Sequence, residues 1–243
     1  MPRGKSKIRR AFTLIEILTV IAIIGVLATI IVGLNPGNPR GLDEARRIAA
    51  SEFRIAQARA VLGANPDPDP STVERYNIRA GVLVLDSPDD PDRHLRFLQT
   101  IVGGTASADK TDLSDYFWYA VGEGVLLPQG VYFVAPDSSE KARSTATILD
   151  GTSAHVTLEP GSASPGSKFG SGKKKWYAYI FDSNGQTFMS KAVFMLAEGK
   201  PGSADGDIDF GDDPFISGFV VHRSGGISFT RDDEEAKAAS NDN

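Results

Sequence analysis

Glu16 is the one ionisable residue in an apolar run from Phe12 to Leu34, where Thr13, Thr19 and Thr29 are the other polar side chains. A charge inside a bilayer costs about 2.5–3.5 kcal/mol on insertion scales, so this carboxylate calls for a partner. A second constellation is Asp205, Asp207 and Asp209, which alternate along the glycine-punctuated stretch Asp205–Asp213. Alternating carboxylates are hard oxygen ligands of the kind calcium takes. The stretch departs from an EF-hand loop, since Phe210 stands at the glycine position and Ile216 where a bidentate glutamate would sit. A solvated acidic turn is the competing reading. His94, His155 and His222 lie far apart without metal-ligand spacing and read as ordinary surface or hydrogen-bonded histidines. Gly170–Lys174 resembles a phosphate loop in composition alone: the spacing back to Gly166 is wrong, and Lys174 replaces the required hydroxyl. Gly151–His155 misses the nucleophile-elbow pattern at its last position. The absence of cysteine removes thiol catalysis and thiolate metal sites. No catalytic residue is assigned, and the chain reads as non-enzymatic; a membrane-tethered hydrolase would need a paired nucleophile and base that the sequence does not offer.

The residues around Glu16 give it a setting. Arg3, Lys5, Lys7, Arg9 and Arg10 form a basic leader without an acid, which holds the N-terminus on the cytoplasmic side. About 20 apolar residues cross the hydrocarbon core as a helix, so residues 12–34 suffice for a single pass. A secretory signal peptide has a shorter apolar region of roughly 7–15 residues. A plain anchor fits the length and leaves the carboxylate without a reason. The run Arg9-Arg10-Ala11-Phe12-Thr13-Leu14-Ile15-Glu16 resembles the type IV prepilin signal, in which a short basic leader is cut off before an aromatic residue. That resemblance implies cleavage between Ala11 and Phe12 by a prepilin peptidase, N-methylation of Phe12, and an assembly role for Glu16. The family usually has glycine before the cut, where this chain has Ala11. In a filament the buried carboxylate of one subunit would meet the positive amine of its neighbour, and the pairing would offset desolvation. A Glu16 that merely snorkels to the headgroups is the alternative.

Composition bounds the remainder. The chain has 243 residues and a formal charge of −5; without the five basic residues of the leader, 21 basic residues face 31 acidic ones, a charge of −10. A phosphate binder needs a basic surface, so nucleic acid is not an expected partner. With no disulfides, an exported domain of this length relies on an apolar core.

The first helix should break at Asn35–Pro39, where two prolines and a glycine interrupt its hydrogen bonding. Helix is predicted to resume from about Leu42 to Leu62. There Ala45, Ile48, Ala49, Phe53, Ala56 and Ala60 define one apolar face, Asp43 and Glu44 occupy the first turn, and Arg46, Arg47, Arg54 and Arg59 mainly face water. Asn65–Pro70 ends it as a stiff linker. Short strands follow at Val82–Leu85, Val131–Val134 and Trp176–Phe181, while Leu95–Val102 fits strand or short helix. Asp182–Gly185 is a hairpin signal with Val193–Leu196 as the expected partner strand, and Ser224–Gly226 joins Phe219–Val221 to Ile227–Phe229. Ser162–Lys175 reads as a flexible loop and 232–243 as a charged, disordered tail.

The expected fold class is thus α+β, one long N-terminal helix packed on an antiparallel sheet. The expected segments are a leader (1–11), a transmembrane and assembly helix (12–34), the outer half of that helix (35–63), a β-rich head (64–231) and a tail (232–243). Glu52–Ala60, Leu127–Val131, Tyr179–Gly185 and Val220–Ile227 are similar to the GspH/FimT type, the minor pseudopilins of type II secretion systems and minor pilins of type IV pili. This resemblance implies a pilin-like fold and a structural subunit in the bacterial inner membrane, with its head periplasmic. Its expected partners are other pilin or pseudopilin subunits through the N-terminal helix, the prepilin peptidase, the inner-membrane assembly platform and membrane lipid. It implies no cofactor beyond the calcium suggested at Asp205, Asp207 and Asp209. The alternative setting is a surface pilus used for adhesion, motility or DNA uptake.

Overall fold

The computed structural model describes residues 20, 21, 23, 39–63, 75–140, 142–150, 155–157, 175–187, 189, 191–203, 206–212, 214–230 and 233–241. The chain divides into two compact units, Met1–Asn38 and Pro39–Asn243. In the first, Val20, Ile21 and Ile23 are helical and exposed. The rest of the Phe12–Leu34 run lies outside the described residues, among which no helix is long and apolar enough to cross a membrane.

The second unit opens with α1, Pro39–Leu62. Proline suits a helix start because its missing N–H would have no partner there. Leu42, Ala45, Ala49, Phe53, Ala56 and Ala60 recur at three- and four-residue steps, and all are buried. Gly63 ends the helix with φ 58°, its N–H reaching the carbonyls of Arg59 and Ala60. The helix begins three residues before the start that periodicity suggested, so Asp43 and Glu44 lie past the first turn. Asp43 instead accepts from Arg46 at 2.8 Å. Arg46 is also turned inward: it donates to Ser217 Oγ (3.2 Å) and the Thr230 carbonyl (2.8 Å) and lies over the Phe229 ring.

Two sheets flank this helix where one was expected. The first runs in the order β6 (Thr147–Asp150), β8 (Lys175–Phe181), β1 (Tyr76–Asp86), β2 (Phe97–Thr105), β3 (Tyr116–Ala120), β7 (His155–Thr157), with β4 (Val125–Leu126) added to β2. All its pairings are antiparallel except β3 with β7. The second is antiparallel, in the order β13 (Ile227–Phe229), β12 (Ile216–His222), β9 (Lys191–Glu198), β5 (Val131–Phe133). A ribbon of β10 (Lys200–Pro201) and β11 (Ile208–Asp209) projects beyond β9. Leu95–Val102 resolves mainly into strand β2.

The expected hairpin of β8 with β9 does not form. Asp182–Gln186 is a tight turn, closed by Asp182 N–H to the Gln186 carbonyl at 2.8 Å, but the chain then crosses to the second sheet. Both edges of β8 are already paired, with β1 and β6, so no edge remains for β9.

Phe53 joins the layers. Its ring lies 4.9 Å from Tyr179 on the first sheet and 5.2 and 5.0 Å from Phe194 and Phe219 on the second. Gln57, one turn on, donates to the Gly185 carbonyl of one sheet's turn and the Ser224 carbonyl of the other's. The charged tail is a second correction: Asp233–Asn241 forms helix α2. Its Ala236 and Ala239, three residues apart, are buried with Val193, Met195, Ile216 and Val220 on the outer face of the second sheet. Local composition reads as unfoldable there because the apolar partner comes from distant strands.

Candidate functional site

Ala11, Phe12 and Glu16, the residues of the expected processing and assembly site, lie outside the described residues, as do Gly151–Ala154 and Gly170–Lys174. Of the acidic stretch, Asp205 also lies outside them, while Asp207 precedes β11 and Asp209 ends it, both exposed. Asp209 is already engaged. One carboxylate oxygen accepts the Gly211 N–H at 2.9 Å and the other meets Lys200 Nζ at 3.2 Å, contacts that hold its carboxyl below the usual range. No group of three His, Cys, Asp or Glu side chains among the described residues is placed to hold a metal. The three histidines are not brought together: His222 bonds Ser228 Oγ, and His94 lies in a separate cleft.

That cleft is the polar cavity sequence reading missed. It has a volume of about 400 Å³ and is lined by Asp86, His94, Asp137, Tyr177, Asp207 and Phe210, among others. The β1–β8 register sets Asp86 opposite Lys175, a favourable cross-strand charge pair. Lys175 Nζ lies 3.2 Å from both Asp86 and Asp137, and Tyr177 Oη donates to Asp137 at 2.8 Å. Burial opposes charge on Asp137 and on Lys175, yet their hydrogen bonds outweigh it. Asp137 is held below the usual carboxylate range and Lys175 above the usual ammonium range. Tyr177 is pushed far above the ordinary phenol value, first by burial and then by its bond to Asp137.

His94 closes the cleft floor. Its Nδ1 accepts the Ser87 N–H at 3.0 Å, which leaves the proton on Nε2 to donate to the Gly206 carbonyl at 2.9 Å. Both ring nitrogens are thus committed to backbone, so His94 is not placed to activate Ser138 or Ser139 on the cleft wall. Gly206 has φ 79°, and a side chain there would run into Pro88, which fixes the loop before β11 against the turn after β1. Chemically the cleft is a set of satisfied ion pairs with a firmly protonated phenol. The signal for it was slight: a lysine opening an aromatic strand and an aspartate closing an apolar one, 89 residues apart.

A family model described as the prokaryotic N-terminal methylation motif matches residues 6–32, the segment holding Ala11, Phe12 and Glu16. No curated protein and no solved structure matches the chain. The chain carries a prepilin-type N-terminal methylation motif, which supports a type IV pilin-like protein and indicates a structural subunit rather than an enzyme.

Proposed function

We propose that this chain is a single-pass subunit of a pilus-like filament, working as a minor pseudopilin of a type II secretion system in protein export. The observation that carries the reading is the matched motif at residues 6–32, within which Glu16 is the fifth residue counted from Phe12. Before processing, the basic leader stays in the cytoplasm, residues 12–34 cross the inner membrane and the acidic head stands outside. A prepilin peptidase cuts between Ala11 and Phe12, and the new amine of Phe12 is methylated and keeps its charge. On assembly, the carboxylate of Glu16 leaves the bilayer by meeting such an amine on a neighbouring subunit. A subunit out of register would bury an unpaired charge, at a cost of about 2.5–3.5 kcal/mol on insertion scales, so one side chain sets both attraction and register. Force comes from an assembly platform elsewhere, and the head contributes shape and surface.

Mass spectrometry of the N-terminus of protein purified from its own membrane tests the reading. The expected result is N-methylated phenylalanine at Phe12; an intact Met1 or a cut near Leu34 would sink it. A surface pilus would give the same N-terminus, and the genes beside this one, secretion or pilus components, separate the two settings.

A further inference from the structure

We propose that the solvent face of α1 docks onto an acidic corner of the head in a second copy of this chain, a head-to-tail contact that rests on the filament reading only for its setting. The face is unusual for so acidic a protein. Arg47, Arg54 and Arg59 are exposed, and none makes an ion pair among the described residues. Apolar side chains on the same helix are also exposed: Ile55 is 42% exposed, Val61 57% and Leu62 72%. Other arginines of the unit are used by the fold. Arg46 reaches the second sheet, and Arg96 donates to the Leu127 carbonyl at 2.9 Å and faces the Tyr132 ring. The acids on the same helix do not neutralise the face: Asp43 is engaged by Arg46, Glu52 accepts from Thr100, and Glu44 stands alone against three cations.

The complement is the corner built by the turn after β1 and the loops around β11. His94 clamps these segments together through Ser87 and Gly206. Asp89 and Asp92 on the turn and Asp207 and Asp212 beside β11 are exposed, and their carboxylates meet no cation among the described residues; Arg96 reaches only the Asp92 carbonyl, at 3.2 Å. The cations present there are occupied, Arg93 over the Phe97 ring and Lys200 on Asp209. Basic face and acidic corner are different patches of one chain, so joining them is heterologous, the basic face of one copy against the acidic corner of the other. The exposed Ile55, Val61 and Leu62 beside the arginines add apolar area, which exposed ion pairs alone lack.

The chain has no cysteine, so single introduced thiols report the contact without background. Full-length Arg54→Cys and Asp89→Cys, carrying different tags, would be co-expressed and oxidised in their own membranes. The expected product is a mixed-tag disulfide dimer at least fivefold more abundant than either same-tag dimer, and it should not form when the oxidation is carried out in about 1 M salt, where charges are screened within about 3 Å. Adding Arg47→Glu and Arg59→Glu to the first copy should abolish it, and adding Asp92→Lys and Asp207→Lys to the second should restore it. All these positions are exposed, and equal melting temperatures would verify that folding is intact. Mixed dimers no more abundant than same-tag dimers, or a double reversal that fails to restore them, overturn the contact. An uncut chain that still gives the mixed dimer keeps the contact and sinks the filament reading; a methylated chain without it does the reverse.

Discussion

Phe53→Ala should be the most damaging apolar truncation on α1. The side chain is fully buried and stands edge-on or tilted to Tyr179, Phe181, Phe194 and Phe219, rings from three strands in two sheets. Deleting a buried phenyl group costs about 3–5 kcal/mol, transfer and cavity together. Collapse is hindered here, because the surrounding rings are fixed in two sheets that cannot both move inward, so the upper part of that range applies. A domain of this size shifts by roughly 2–4 °C per kcal/mol, which makes the expected fall in melting temperature about 8–20 °C. Phe53→Leu, which keeps most of the volume, should lose less than half as much. The assay is thermal unfolding of the full chain in detergent, followed by near-ultraviolet circular dichroism, with Ile55→Ala as an exposed control on the same helix. A loss for Phe53→Ala no larger than the control's would refute the claim that this ring joins the helix to both sheets. So would independent melting of two transitions in the parent protein, since one shared core demands one cooperative event.

Four further outcomes are expected. Glu16→Ala should be cut and methylated yet stay in the membrane; its normal presence in sheared filament fractions would defeat the assembly role. Tyr116, Tyr177 and Tyr179, all held above the ordinary phenol value chiefly by burial, should stay protonated through the first rise of a titration followed at 295 nm. Above about pH 10 the unfolded chain releases protons that the fold retains, so stability falls there by about 1.4 kcal/mol per pH unit per tyrosine; a flat alkaline limb would contradict this. Asp137, held below its ordinary value, stabilises above the unfolded value of about 3.9 and loses that contribution as pH falls through its folded value. Asp137→Asn should therefore lower the urea midpoint at pH 7 and leave it unchanged well below pH 3. Ala236→Asp, which places a carboxylate against Val193 and Met195, should lower the melting temperature and raise binding of a hydrophobic dye; no effect would return Asp233–Asn241 to the status of a loose tail.

What the sequence disclosed follows from how far apart the cooperating residues lie. The apolar face of α1 is written in three- and four-residue steps, so Ala45, Ala49, Phe53, Ala56 and Ala60 were legible as core. The hairpin at Ser224–Gly226 was legible for the same reason, its strands being separated by four residues. The partner of Trp176–Phe181 was not, because Asp182–Gly185 has hairpin chemistry whichever sheet the chain enters next. What decided the matter was that β1 and β6 occupy both edges of β8, a fact about residues some 30 to 100 positions away. α2 failed similarly: two alanines among charges are too little to fold alone and enough once Met195 and Val220 provide a surface.

The same distinction separates the two polar sites by kind. On the reading proposed above, the motif at residues 6–32 acts through residues close in sequence, a cut and a carboxylate at the fifth position beyond it, without help from the head. The cleft of Asp86, His94, Asp137, Lys175 and Tyr177 exists only after two sheets have paired, and its groups are satisfied by one another rather than aimed at a ligand. Loss of the Glu16 carboxylate should block assembly in a well-folded protein; damage to the second should weaken the head while the subunit still enters filaments. Scoring Asp137→Asn and Glu16→Ala side by side for melting temperature and for presence in sheared filament fractions therefore separates assembly from folding, and a variant of either site that moved both readings would break the division drawn here.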